Sequence, residues 1–114
     1  MTSLIGLLTV LHVWVATVQL ALWTHPVGLR MFGMSRGQAE TSRVLAANQG
    51  LYNGFIAIGL AASLLIEAPA GHTLKLLFLA FVATAGIFGG LTAKRSILVV
   101  QGLPALVALA LLLR

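Results

Sequence analysis

VLAANQGLYNGFIAIG, residues 44–59, sets Asn48, Gln49, Tyr52 and Asn53 inside a window of six residues and then runs on into LAASLLI, residues 60–66. The apolar continuation is too long to belong to anything but a membrane-embedded helix. Amide and phenol side chains are costly in a bilayer unless they meet partners or a polar ligand. The stretch therefore predicts a membrane protein with a polar site, and leaves the reaction or cargo open.

The composition agrees with that class. Hydrophobic residues make up 60% of the 114-residue chain and charged residues 8%, with a mean hydropathy of +1.06. Soluble domains carry about a quarter charged residues. One integral membrane domain over residues 1–114 is expected. With no cysteine in the chain, disulfides, thiol catalysis and thiolate-held metals are excluded. The net charge of +5 is read as meeting anionic lipid head groups, with no nucleic acid as partner.

Working outward along the chain, four helices are expected at about residues 3–24, 36–66, 72–93 and 97–113, an all-α four-transmembrane-helix bundle. Residues 1–29 carry no charged side chain, and the missing basic start favours a retained span over a cleaved leader. On the first helix His12, Ala16, Gln19 and Trp23 fall on one stripe that should face the bundle. HPVGLRMFGMS, residues 25–35, reads as a surface loop broken by Pro26, Gly28 and Gly33. Ser35 and Gln38 have the spacing of a capping box that starts the second helix. Pro104 should kink the fourth and free a backbone carbonyl. Small residues line helix two (Ala47, Gly50, Gly54, Ala57, Ala61) and helix three (Ala83, Gly86, Gly90, Ala93), so these two faces are expected to pack together or to serve dimerisation.

Five of the seven basic residues, Arg30, Arg36, Arg43, Lys94 and Arg95, fall on one side of this topology, and Lys75 and Arg114 on the other. The positive-inside bias puts both termini outside. Gln19 and Gln101 then lie roughly 8 Å inside the cytoplasmic ends of their helices at 1.5 Å per residue. Asn48, Gln49, Tyr52 and Asn53 share that leaflet, with His12 deeper. These seven residues are the candidate lining of a cytoplasm-facing polar pocket.

Three segments carry a family resemblance: LALWTHPVGLRMFGMS (residues 20–35), VLAANQGLYNGF (residues 44–55) and AGIFGGLTAKRSILVVQGLPALVAL (residues 85–109). Together they resemble a family of small four-helix membrane proteins of bacteria and fungi catalogued as a domain of unknown function. AANQGLYNG and Q-x-L-P-A are its more specific motifs. The resemblance implies a four-helix fold and an important role for Asn48, Gln49, Tyr52, Asn53 and Gln101, and a bacterial inner-membrane location is expected. Relatives often carry Glu-His where this chain has Leu11-His12, and Glu where it has Gln19. The histidine is kept here and both carboxylates are absent.

Each polar residue has two readings. His12 is a candidate general acid/base, or a buried histidine bonded to Gln19 or another neighbour. No second histidine or carboxylate stands at coordinating spacing, so no metal site is assigned, and no cofactor is indicated. Tyr52 is a candidate donor to a substrate oxygen, or an aromatic satisfied by Asn48 one turn away. Gln19, Asn48, Gln49, Asn53 and Gln101 are candidate ligand-binding groups, or interhelical glue. The leading expectation is binding or conversion of a small hydrophobic molecule with one polar end, such as a quinone, terpenoid, sterol-like or lipid compound, by a homo-oligomer. A small dimeric transporter is a second class, although the embedded carboxylate of proton-driven exporters is missing. An accessory subunit of a membrane complex is a third.

Overall fold

The computed structural model describes residues 1–114, and all of its regular structure is helical: α1 (Thr2–Ala21), α2 (Pro26–Phe32), α3 (Arg36–Leu65), α4 (Ala70–Thr92) and α5 (Arg95–Leu113). Every helix but α2 is long and apolar enough to cross a membrane. About 20 apolar residues cover the roughly 30 Å hydrocarbon layer, and α1 has 20. α3 has 30, so its first turns overrun that thickness. Hydroxyls within these spans are returned to their own helices: Thr9 donates to the Ile5 carbonyl at 2.8 Å, Thr84 to Ala80 at 2.8 Å and Thr92 to Phe88 at 2.7 Å. Such back-bonding satisfies a polar group where no water can.

The segment read from sequence as a loop contains α2. His25 is its N-cap, with Nδ1 accepting from the Val27 amide at 3.2 Å, and Pro26 occupies the first turn, where its missing N–H costs nothing. Gly33 ends α2 in the left-handed region at φ 61°, a conformation that favours glycine. The breakers thus bracket a short helix instead of preventing one. Next, Ser35 and Gln38 close a reciprocal capping box, with the Ser35 amide donating to Gln38 Oε1 at 2.9 Å and the Gln38 amide to Ser35 Oγ at 3.1 Å. α3 begins on it at Arg36.

α5 departs from the simple proline kink. Residues Leu98–Gly102, just before Pro104, form a π-helical turn in which the Leu103 amide reaches back five residues to the Leu98 carbonyl. A π-turn widens the helix by one residue, and here it is the irregularity upstream of the proline. Gln101 sits in it, half-buried.

Contacts group the chain into two compact units, Met1–Val10 with Ile56–Arg114, and Leu11–Phe55. In the first, glycines set the helix approaches. A methyl group added at Gly86 would collide with the backbone of Gly102, one at Gly90 would lie 2.5 Å from Leu98 Cβ, and one at Gly59 would collide with the Phe78 ring. The small face of α4 is therefore filled by α5, and α3 meets α4 through Gly59, on another line of the helix. In the second unit Gly50 lies on α1, where a Cβ would stand 2.9 Å from Gln19 Cβ and 3.2 Å from the Ala16 carbonyl. Of the small residues singled out, Gly86 and Gly90 thus meet α5 and Gly50 meets α1. At Gly86 and Gly102 two glycines let the backbones of α4 and α5 approach closely.

Candidate functional site

Six of the seven candidate residues lie in the Leu11–Phe55 unit, where two side-chain bonds set the register of α1 on α3. Asn53 Nδ2 donates to Gln19 Oε1 at 2.7 Å. Beyond the end of α1, Trp23 Nε1 donates to Ser42 Oγ at 3.1 Å, and the Trp23 ring packs on Phe32 of α2 with centroids 4.9 Å apart. An indole at this position suits a membrane boundary, with its apolar body packed and its N–H bonded. The Trp23–Ser42 tie was not read from the sequence. Its signal was available: an indole just past an apolar span and a hydroxyl on the overrun of a long helix.

Asn48 and Gln49 lie on α3 between these two ties, level with the last turn of α1, and Tyr52 adjoins Asn53. Because α1 ends at Ala21 rather than at residue 24, Gln19 is two residues, about 3 Å, from the helix end. The members of the group face different ways. Gln19 and Asn53 point toward each other and are half-buried, whereas Asn48, Gln49 and Tyr52 are exposed.

Asn48 Nδ2 donates to the Val44 carbonyl of its own helix at 2.9 Å, leaving one N–H and the amide oxygen outward. Gln49 and the Tyr52 hydroxyl have no hydrogen-bond partner within the chain. Tyr52 is 62% exposed, and its ring meets Phe55, one turn deeper, edge-on at 6.0 Å. His12 is 3% exposed and is engaged within the chain. It lies seven residues, about 10 Å, from Gln19 along α1. Ala16, between them, is buried on the same stripe. No three His, Asp or Glu side chains converge as metal ligands would.

The arrangement divides the polar residues into an internal pair that fastens α1 to α3 and an outward, exposed set. Around the outward set, Leu51 and Phe55 are exposed apolar neighbours, and Arg43, five residues before Asn48, is exposed as well. This face offers hydrogen-bonding groups beside exposed apolar side chains.

Residues 6–113 match a protein family described as "Protein of unknown function (DUF1304)". A relative from Lactococcus lactis subsp. lactis (strain IL1403), described as "Uncharacterized protein YpaA", is 33% identical over 82 residues, covering 70% of this chain and 68% of the relative. No solved structure matches the chain.

Proposed function

Because the chain belongs to the DUF1304 family, whose description assigns no activity, its function is read from its own side chains, and we propose that it binds a small hydrophobic molecule with one polar end. The polar end is held by the Tyr52 hydroxyl and the Gln49 amide, with Asn48 beside them. The hydrophobic body lies along Phe55 and the apolar surface beneath. The site opens at the cytoplasmic face of a bacterial inner membrane, with both termini outside.

The observation that carries this reading is the outward display of Gln49 and Tyr52 without partners in the chain. Polar groups in or near a bilayer are normally engaged, and neither residue contributes to holding the helices together. Gln19 and Asn53 do that, and their role in the site is to fix the α3 turn that presents Tyr52. His12 is buried away from this face, so the reading rests on binding rather than on proton transfer.

Native mass spectrometry of the protein released from lipid nanodiscs tests it. The expected result is a defined non-lipid adduct that disappears in the Gln49→Leu, Tyr52→Phe double variant while the protein retains its helical content. A protein with no such adduct, or an adduct indifferent to both substitutions, would overturn the reading.

A further inference from the structure

One line of α3 is left uncovered over the whole thickness of a membrane. Val44, Asn48, Leu51, Phe55, Ile58 and Leu65 follow one another at spacings of four and three residues, with half-buried Ala62 filling the one place between Ile58 and Leu65. The five large apolar members are between 49% and 83% exposed, and Asn48 is exposed as well. The spacing averages 3.5 residues, which keeps the line on one face of α3, as the seam of a helix pair requires. From residue 44 to residue 65 the line is about 32 Å long, close to the roughly 30 Å hydrocarbon layer.

We propose that this line is the seam of a parallel, two-fold dimer, and that a second copy of the same chain covers it. Copies inserted with one topology present α3 in the same direction, so each residue of the line meets its own counterpart. Asn48 suits such a pairing because an amide is complementary to itself. After its bond to Val44 it keeps one donor and one acceptor, and each copy supplies what the other takes. A single asparagine at an inward position of a parallel helix pair fixes register and oligomer state. Beside the line, the space around Gly54 is open, with nothing within 4 Å of where a Cβ would stand, so a neighbouring backbone can approach there. Gln49 and Tyr52 flank the line, whereas Asn48 and Phe55 belong both to it and to the proposed ligand face, so the ligand sits at the edge of the seam; cross-linking reads the seam, and the adduct lost in Gln49→Leu, Tyr52→Phe reads the ligand.

The chain has no cysteine, so single cysteines report cleanly on proximity in the full-length protein in lipid vesicles. Oxidative cross-linking is expected to peak for Leu51→Cys, Phe55→Cys and Ile58→Cys, and to be weak for Leu7→Cys, Gln49→Cys and Phe88→Cys. Asn48→Leu should weaken the dimer by about three- to tenfold in a lipid-dilution energy-transfer titration, the range of a membrane hydrogen bond. Native mass spectrometry of the wild type should give twice the chain mass. A protein monomeric at every lipid dilution, a dimer cross-linked equally or better through Leu7→Cys or Phe88→Cys, or a seam cysteine captured by a different protein in native membranes would each overturn the proposal.

Discussion

Asn53 of α3 donates to Gln19 of α1 across 2.7 Å, the one side-chain bond that joins two membrane-length helices within the Leu11–Phe55 unit beneath the Trp23–Ser42 tie at the boundary. Interhelical hydrogen bonds in membranes contribute about 0.5–2 kcal/mol. Asn53→Leu and Gln19→Leu should each lower the stability measured by unfolding in mixed micelles by about that amount. The double variant should lose less than the sum, because the second substitution removes a partner already lost. Full additivity would show that the two amides do not stabilise one another.

Gly50 and Gly54, one turn apart on α3, should respond in opposite directions to the same substitution. A Cβ at Gly50 would stand 2.9 Å from both Gln19 Cβ and Leu20 Cγ, whereas one at Gly54 meets nothing within 4 Å. Overpacking of this kind costs about 1–3 kcal/mol, while glycine to alanine in an unhindered helix interior gains about 0.5–1 kcal/mol. Thermal unfolding in monodisperse detergent should therefore place Gly50→Ala below the wild type and Gly54→Ala above it. Equal shifts would mean that α1 does not rest on Gly50.

The fold class was legible because membrane spans are written in composition: each of the four helices announces itself by an apolar run of bilayer length. The start of α3 was legible from Ser35 and Gln38, since a capping box is a local device. α2 was missed because Pro26 and Gly33 break helices in the interior but also bound them, and only the His25 cap, seen in three dimensions, decides between the two. The neighbours of individual glycines were not legible either. Gly86 needs a close neighbour, but only the structure shows that α5 supplies it at Gly102 while Gly59 of α3 meets Phe78. At the site, helix periodicity correctly put His12 and Ala16 on an inward stripe. It could not say that Asn53 turns inward to Gln19 while Tyr52, one residue away, turns outward.

The caps around residue 35 give a third prediction. Ser35→Ala removes the acceptor for the Gln38 amide, and loss of such a cap costs about 0.5–2 kcal/mol. Gly33→Ala forces a side chain into the left-handed region at φ 61°, at a cost of roughly 1 kcal/mol. Hydrogen exchange in nanodiscs should show faster exchange of the amides of residues 36–40 for Ser35→Ala, and of the residues of α2 for Gly33→Ala, with α4 unchanged in both. Protection unchanged in residues 36–40 of Ser35→Ala would mean that α3 is held at its start by packing alone.

Membrane orientation can be tested directly because the cysteine-free chain accepts single reporters. Arg30, Arg36, Arg43, Lys94 and Arg95 outnumber Lys75 and Arg114 on the opposite side, and basic residues near short loops are retained in the cytoplasm. Gly37 precedes the membrane-length part of α3, and Ser96 stands at the start of α5; both are exposed. In intact cells an impermeant maleimide should leave Gly37→Cys and Ser96→Cys unlabelled and should label Thr2→Cys. After permeabilisation all three should react. The reverse pattern would put the Tyr52 face at the outer surface, and the ligand sought there would have to reach the protein from outside the cell.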